Sequence, residues 1–450
     1  MQLSAKKRRM FIYTLLLGTF TMSISQSSLS TAYPTFMHYF NLPASTISWL
    51  TTGFMLIMSV VMPLSPWLMN NVKFKPLYLT LLINFVIGTI IIILAPNFPI
   101  MMIGRLMEGF SVGVLFPSYQ SIILEITPEN HRGHVMGTVG LVMGSALAVG
   151  PIMSGIMLQI FDWQAIFWFF LIVLSIVFIV ALKTVVSPLK LHRSSFDFIS
   201  VILSMGIVGL LYFINEIKTM KNGNNTNWII LIVSLILLAG FIYRQLHEKN
   251  PLLRLDILGI KNFDLGVILT SLSYMSLITV TIIMPLYYQQ VLGLTPLWSG
   301  LSLVPAAVLL SFLNQRSGSL ADRIGFKPVI FIGFILFIIG WGGLLLFSGL
   351  KNVWIVIICS MIIEAGNAYA MMPSVTLGNT SLSDDLIPHG SSVITTVRQV
   401  LGSTAIVLAT VILGKNNFNG VFLTFLIIEI VALVFVWMIK DNRLTDKTTN

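Results

Sequence analysis

Apolar runs of about twenty residues alternate along this chain with short segments that hold most of its charged residues. A helix needs roughly 20 apolar residues to cross ~30 Å of hydrocarbon, so each window of that length with few or no charges predicts a transmembrane helix. Fourteen such windows occur, at residues 10–33, 46–69, 76–96, 98–124, 133–160, 164–187, 196–215, 228–246, 262–290, 297–316, 328–350, 352–378, 391–414 and 419–439. The pattern predicts an all-α membrane protein with 14 transmembrane helices.

The composition favours the same class of protein. The 450 residues are 56% hydrophobic and only 9% charged, whereas about a quarter of the residues of a soluble protein are charged. The first apolar run follows Lys6-Lys7-Arg8-Arg9 and could imitate a signal peptide. Because it exceeds the usual signal-peptide core of roughly 7–15 residues, we interpret it as an uncleaved first helix.

The charges of the loops predict the orientation in the membrane. An even number of spans places both termini on one side, and that side carries 19 Lys and Arg against four on the other. The positive-inside rule then puts both termini in the cytoplasm. The net charge of +10 does not indicate a nucleic-acid partner, because attraction to anionic lipid headgroups is enough to explain it.

Signatures of enzymatic or metal chemistry are missing from the sequence. Cys359 is the only cysteine, which excludes disulfides and thiolate metal sites. Neither the zinc motif H-E-x-x-H nor the nucleotide-binding motif G-x-x-x-x-G-K-[ST] occurs. We therefore expect no enzyme activity, no metal and no cofactor, with energy supplied by an ion gradient.

Two charged stretches reveal an internal repeat. GSLADRIGFKP (318–328) aligns without gaps with part of SPWLMNNVKFKP (65–76) at an offset of 252 residues. The offset pairs Leu68 with Leu320, Asn70 with Asp322, and Phe74-Lys75-Pro76 with Phe326-Lys327-Pro328. Such repeats are typical of secondary transporters. We predict two six-helix bundles at about 1–187 and 262–440, an inserted transmembrane hairpin with basic linkers at 188–261, and a cytoplasmic tail at 441–450.

Several motifs, taken in order along the chain, carry a resemblance to a known family. They are Arg105-Leu-Met-Glu108-Gly109, the glycines and proline at 144, 150, 151 and 155, Pro285-Leu-Tyr-Tyr-Gln-Gln, the G-x-L-A-D-R-x-G-x-K stretch from Gly318, and Arg398-Gln399 with Gly402 and Ser403. Together they resemble the major facilitator superfamily and its drug:proton antiporter branch with fourteen helices, to which staphylococcal multidrug exporters belong. The resemblance implies the major facilitator fold.

The resemblance implies a gating role for the loop at Asp322, Arg323 and Gly325. In the family this loop latches the two halves together on the cytoplasmic side, and the alternative is a charge cluster that only sets topology. In the first half, Asn70 replaces the acid and Lys73 the glycine. We expect the latch there to be weaker.

Gating is also implied for Gly150 and Pro151, in a helix that seals the cytoplasm-facing cavity of exporters. Small residues permit close helix packing and proline kinks a helix, so ordinary tight packing is the alternative. Arg398 is a further gating candidate. It could instead snorkel to the membrane surface or bridge to Asp384-Asp385.

Ionisable residues at membrane depth predict proton coupling, because a charge there is costly and usually marks an ion or proton path. Glu108 lies on the order of 14 Å from the start of its helix, and Arg105 shares its face at i, i+3 spacing. The family usually has Gln at the position of Glu108. Glu364 lies near the midplane of a helix that lines the family's cavity. The alternatives are a permanent salt bridge for the first pair and a hydrogen-bonded packing residue for Glu364.

Polar and aromatic residues on predicted cavity helices are the candidates for substrate binding. They are Gln26, Ser27, Phe54, Tyr287, Tyr288, Asn367 and Tyr369. Hydroxyls could instead bond their own backbone carbonyls, and the aromatic residues could instead lie in the core or face lipid. Ser25 stands where many members of the branch have Asp, so no proton site is expected there.

Three other acids receive less weight. Glu429 is deep in the last helix, which is peripheral in the family. Asp197 and Asp264 lie at helix entrances, where we expect them to be solvated.

The sequence thus predicts a proton-coupled multidrug efflux antiporter that exports lipophilic, often cationic drugs, dyes or antiseptics. Its partners are small-molecule drugs, protons and the lipid bilayer. One alternative is the same fold exporting a single endogenous compound such as a lipid, peptide or siderophore. Another is a membrane sensor that transports nothing.

Overall fold

A computed structural model describes residues 5–62, 64–126, 132–187, 191, 197–216, 225–248, 251, 255–383, 386–414 and 417–439. Within these residues the regular structure is helical. The helices of the first half are α1 (Ala5–Phe40), α2 (Ala44–Ile47), α3 (Trp49–Val61), α4 (Leu64–Asn71), α5 (Phe74–Ile93), α6 (Phe98–Ile126), α7 (Arg132–Ile160) and α8 (Gln164–Thr184). They are followed by α9 (Phe198–Ser204), α10 (Gly206–Glu216) and α11 (Asn225–His247). The second half comprises α12 (Lys261–Gln290), α13 (Pro296–Ile324), α14 (Phe326–Phe347), α15 (Val353–Thr380), α16 (Ile387–Leu413) and α17 (Phe418–Trp437).

Eleven helical segments of the described residues are long and apolar enough to cross a membrane. The other three predicted spans fall on α1, on α7 and on the pair α9–α10. In α7 and α9–α10 only the shorter apolar stretches Val149–Ile160 and Phe198–Ile214 stand out. The all-α membrane fold is confirmed, while the number of fourteen spans stays a prediction.

The same helix contacts occur in both halves. In the first half α5 packs against α6 and α8, α3 against α6, and α1 against α7. In the second, α14 packs against α15 and α17, α13 against α15, and α12 against α16. The halves meet where α7 contacts α13, α3 contacts α16, and α1 contacts α12. The internal repeat of the sequence is therefore matched by a repeat in packing.

We call the end of the bundle where α1 ends the distal end. There the ring of Trp163 lies 5.5 Å from that of Phe36, and Gln289 Nε2 at the end of α12 donates to Thr31 O of α1 at 3.0 Å. The latter contact crosses from one half to the other. The opposite end, where Phe11 packs against Phe74 at 6.1 Å, is the proximal end.

Asp197 and Asp264 are hydrogen-bonded rather than simply solvated, which corrects the expectation from sequence. Asp197 caps α9 by accepting from Ser200 N at 3.2 Å, and Arg244 Nε of α11 donates to its Oδ1 at 2.9 Å. Asp264 accepts from Gly259 N at 3.0 Å. The donors Ser200 and Gly259 are close in the chain, whereas Arg244 lies on another helix, a relation that sequence spacing did not reveal.

Candidate functional site

Arg105 and Glu108 lie one turn apart on α6, and both are fully buried. Arg105 Nη1 donates to Glu108 Oε2 in an ion pair, and Arg105 Nε donates to Leu50 O at 3.2 Å. Ser25 Oγ accepts from Arg105 Nη1 at 2.9 Å. Thr89 Oγ1 donates to Glu108 Oε1 at 2.7 Å. The pair thus joins α6 to α1, α3 and α5.

Close helix packing brings this cluster together. A Cβ at Gly88 of α5 would lie 2.7 Å from Gly104 O and 3.3 Å from Glu108 Cγ. Because only glycine fits there, α5 approaches α6 closely enough for Thr89 to reach the carboxylate. Nη2 of Arg105 has no hydrogen-bond partner in the described part of the chain.

Phe54, predicted as a substrate contact, lies on this cluster. The guanidinium of Arg105 is 4.4 Å from the centre of its ring, a distance at which a cation is attracted to an aromatic face. Phe54 is fully buried. Its observed partner in the structure is therefore the arginine.

Glu364 is the second buried carboxyl, on α15, with 4% of its surface exposed. Its Oε2 has no hydrogen-bond partner in the described residues. It faces a cavity of about 20 Å³ that is otherwise lined by Leu277, Val280, Thr281, Leu303, Ala306, Ala307 and Leu310. That volume is sufficient for one water molecule. Burying a charged group in such apolar surroundings is costly.

Glu429 is a third buried carboxyl, in the interior of the second half. Ser276 Oγ of α12 donates to its Oε1, and Trp341 Nε1 of α14 donates to Ser276 Oγ at 3.0 Å. Its Oε2 has no hydrogen-bond partner in the described residues. Although α17 packs at the edge of the bundle, its glutamate points inward.

A group that we call the central polar cluster lies where the halves meet, comprising Gln26, Tyr274, Arg398, Gln399 and Met58. The guanidinium of Arg398 is 5.0 Å from the centre of the Tyr274 ring. The side chains of Gln26 and Gln399 interact with the Tyr274 hydroxyl. Gln399 Nε2 lies 3.9 Å from Met58 Sδ of the opposite half. Gln26 was predicted as a substrate contact, and Arg398 as a gating residue.

Three members of this cluster, Tyr274, Gln399 and Met58, were not among the site residues predicted from the sequence. Gln399 adjoins Arg398 in the motif that also includes Gly402 and Ser403, so the motif itself could have indicated it. Tyr274 carried no local signal, since its importance comes from packing: a Cβ at Gly402 would lie 2.6 Å from its ring.

The remaining substrate candidates do not join the central polar cluster. Ser27 Oγ donates to Ala146 O at 2.9 Å. Tyr287 donates to Ser348 O at 2.7 Å and packs edge-on against Phe418 at 5.1 Å. Both hydroxyls donate hydrogen bonds to backbone carbonyls within their own half of the molecule.

The other three candidates lie within the second half. Tyr288 is fully buried beside Ser360. Asn367 Nδ2 donates to Ser273 O at 3.4 Å, and its Oδ1 has no hydrogen-bond partner in the described residues. Tyr369 is half-buried and packs against the main hydrophobic core.

The predicted gating residues other than Arg398, which belongs to the central polar cluster, fall into two places. Gly325 joins α13 to α14 with a φ of +92°, a conformation that favours glycine, and Arg323 beside it is exposed. The side chains of Asp322 and Asn70 and residues Asp384-Asp385 lie outside the described residues.

Gly150 and Pro151 lie in the distal half of α7, where it packs against α1 and α13. A Cβ at Gly150 would lie 1.9 Å from Ser27 Oγ, and a Cβ at Gly300 of α13 would lie 2.4 Å from Pro151 O. One turn further, Gly155 lies against Pro296 O, 2.8 Å from the position of a Cβ. These small residues let the two halves touch backbone to backbone.

Comparison with known proteins identifies one family of transporters. The Major Facilitator Superfamily model matches residues 15–406 and again 318–450. The chain is 33% identical to an uncharacterised MFS-type transporter, YcnB of Bacillus subtilis, over 95% of this chain and 93% of that protein. It is 31% identical to the lincomycin resistance protein LmrB of Listeria monocytogenes, over 90% and 86% of the two chains. It is also 25% identical to a multidrug resistance protein B homolog of Mycobacterium tuberculosis, over 86% and 72%.

The fold is likewise shared with solved structures. The crystal structure of a D-xylose-proton symporter superposes with a TM-score of 0.72 at 13% identity, over 97% of this chain and 99% of that one. This likeness establishes the fold, and the relatives above 30% identity establish the family. The chain belongs to the Major Facilitator Superfamily and is therefore a membrane transporter of small molecules, not an enzyme.

Proposed function

We propose that the protein is a proton-coupled antiporter of the fourteen-helix drug:proton branch, which exports lipophilic and often cationic drugs, dyes or antiseptics by alternating access. The observation that carries the proposal is Glu364, a buried carboxyl with one unpartnered oxygen facing a cavity the size of a water molecule. Such a group has room to gain and lose a proton within the membrane. Relatives named for lincomycin and multidrug resistance support the choice of cargo.

Glu108 and Arg105 form the second part of the coupling device. Protonation of Glu108 removes the negative partner of Arg105, which keeps its bonds to Ser25 and to the Leu50 carbonyl. Arg105 is then left in the interior without a negative partner, which is costly and favours movement of α6 relative to the helices around it. Proton binding is thereby linked to helix movement in the first half.

The contacts between the two halves are the ones that must change during transport. With both termini in the cytoplasm of a bacterial cell, the distal end faces outward. There Gly300 and Pro151 touch, and Gln289 bonds Thr31 O, so the outer side is closed. Export requires these contacts to open while the loop at Asp322 and Arg323 closes the inner side.

The central polar cluster is the proposed drug site. It combines the amide of Gln26, the aromatic ring of Tyr274 and the thioether of Met58, at the boundary that opens during alternating access. Methionine and aromatic surfaces adapt to ligands of different shape. We do not include Tyr287 or Ser27, because their hydroxyls already have backbone partners.

The test uses the full-length protein in liposomes under an imposed pH gradient, with ethidium, a cationic antiseptic and a neutral lipophilic dye as cargoes. Gradient-dependent movement of several unrelated compounds is expected. Movement of one compound alone favours the alternative of a dedicated exporter for an endogenous lipid, peptide or siderophore. If nothing moves although the protein is folded, a non-transporting sensor replaces the proposal.

A further inference from the structure

We propose that a row of buried polar side chains between α12 and α15 holds water and carries the proton between Glu364 and the proximal end of the protein. The members of this polar row are Thr270 and Ser273 of α12 and Asn367 and Ser374 of α15. The route rests on the proposed function, and it keeps the coupling proton apart from the central polar cluster, where the drug is proposed to bind.

Every member of the polar row is fully buried and has an oxygen that lacks a hydrogen bond. All four side chains are 0% exposed. The oxygens without a hydrogen-bond partner in the described residues are Thr270 Oγ1, Ser273 Oγ, Asn367 Oδ1 and Ser374 Oγ. Burying such groups is costly unless they find a partner, and buried water usually supplies it.

Other hydroxyls on α12 are bonded to their own helix. Ser271 Oγ donates to Val267 O at 2.7 Å, and Thr279 Oγ1 donates to Met275 O at 2.8 Å. This bond to the carbonyl one turn back is the common local arrangement of a helical hydroxyl. The hydroxyls of the polar row do not make it and are therefore available to water.

The polar row lies on the faces by which α12 and α15 contact each other. Asn367 Nδ2 donates to Ser273 O at 3.4 Å. Nearer the proximal end, a Cβ at Gly266 would lie 2.8 Å from Ser374 O. Gly266, Thr270 and Ser273 share one face of α12, and Asn367 and Ser374 share one face of α15, because residues three, four or seven apart lie on the same side of a helix. The unpartnered oxygens are thus brought into one seam.

At its distal end the polar row reaches Glu364. This residue precedes Asn367 by one turn on α15, so the two share a face. On α12, Leu277 and Val280 line the cavity at Glu364, and they lie two turns beyond Thr270 and Ser273 on the same face. The seam runs about 15 Å from Glu364 to Ser374. Hydroxyls both donate and accept, so they can pass a proton between waters.

The proximal end of the seam is closed in this structure. A Cβ at Gly266 would lie 2.7 Å from Gly378 Cα, so α12 and α15 touch backbone to backbone there. An antiporter needs such closure, because a proton route open at all times would let protons leak across the membrane. The proton passes this point when the two helices separate.

Glu364 is the acid that this seam serves. The other residues that line its cavity are uncharged. In the interior of the same half, Glu429 is bonded by Ser276, and Tyr274 faces Arg398 of α16. At the proximal start of α12, Asp264 accepts from Gly259 N.

Two transport measurements on the full-length protein in liposomes test the route. One is ethidium transport driven by a pH gradient, which needs Glu364 to gain and lose a proton. The other is exchange of labelled for unlabelled ethidium at equal pH, which needs the drug site and helix movement but no net proton transfer. A loss confined to the first measurement therefore reports on the proton route.

Substitutions that remove a hydroxyl from the polar row should affect only the first measurement. We expect Thr270→Val and Ser273→Ala to slow pH-driven transport at least about tenfold when combined, as loss of a proton-transfer group does, while exchange stays normal. Thr270→Ser keeps the hydroxyl and should keep the rate. The matched controls Thr279→Val and Ser271→Ala remove hydroxyls from the same helix that are bonded to their own backbone, and both should transport like the wild type.

Three results would overturn the route. Equal pH-driven rates in the combined variant and the controls show that the row carries no proton. Equal loss of exchange and of pH-driven transport assigns the hydroxyls a structural role, as does a Thr270→Ser variant as slow as Thr270→Val. A wild-type protein without pH-driven transport overturns the proposed function itself and the route with it, which distinguishes that failure from the other three.

Discussion

Lys75 and Lys327 make the same contact in the two halves of the molecule, 252 residues apart. Lys75 Nζ donates to Leu182 O at 2.7 Å, near the end of α8. Lys327 Nζ donates to Trp437 O at 2.9 Å, at the end of α17. Each lysine ties the third crossing of its half to the last turn of that half's final helix, where free carbonyls and the helix dipole attract a cation.

Replacing either lysine with methionine should therefore lower stability by a similar, small amount. A cation at a helix end typically contributes about 0.3–1 kcal/mol, and the two sites are far apart. The losses in Lys75→Met and Lys327→Met should add in the double variant. Thermal unfolding of the purified protein measures this, and a loss confined to one variant would contradict the equivalence of the contacts.

Glu364→Gln should abolish proton coupling while leaving the fold intact. The substitution keeps the shape of the side chain and removes only the group that titrates, and Oε2 of Glu364 has no hydrogen-bond partner in the described residues to lose. We expect pH-driven ethidium efflux in proteoliposomes to fall at least about tenfold, with Tm unchanged or slightly raised.

Glu429→Gln is the matched control for Glu364. It is another buried carboxyl in the second half, but Ser276 bonds it in the interior of that half. The variant should keep pH-driven efflux. If both variants transport like the wild type, Glu364 is not the coupling site.

Glu108→Gln should stop coupling and also destabilise the protein. Arg105 would remain buried without a negative partner, and breaking a buried ion pair by removing one member costs roughly 3–5 kcal/mol. The double variant Arg105→Gln with Glu108→Gln should recover much of the stability but not the coupling. Tm and gradient-driven efflux separate these effects. Full efflux in Glu108→Gln would refute its role.

Gly300→Ala should disturb closure of the distal end. The added Cβ would lie 2.4 Å from Pro151 O, whereas a Cβ at Gly318 of the same helix meets no atom within 4 Å. Both substitutions raise helix propensity equally, by about 1 kcal/mol, so Gly318→Ala isolates the steric effect. We expect Gly300→Ala to increase labelling of engineered cysteines at the distal end and to slow transport. Equal labelling in both variants would show that this contact does not hold the halves together.

The proposed site was only partly foreseeable. The i, i+3 spacing indicated the Arg105–Glu108 pair, because residues one helical turn apart share a face whatever the tertiary fold. Ser25 was expected to offer no proton site, and its hydrogen bond from Arg105 was not foreseen. Phe54 was identified as an aromatic ligand contact and instead stacks on that arginine. Both partners come from other helices, which spacing along one helix does not reveal.

The sequence by itself determined the all-α membrane fold and the internal repeat, because hydrophobic length and local motifs act within single helices and need no partner. Only the tertiary structure decided which polar groups meet. Tyr274 and Arg398 lie 124 residues apart in the sequence and come together at the contact of α12 with α16. Gly402 permits the close approach of the Tyr274 ring to α16, since a Cβ there would lie 2.6 Å from the ring. Which side chains meet at the boundary between halves therefore depends on the packing of helices that are distant in sequence, and no single helix specifies it.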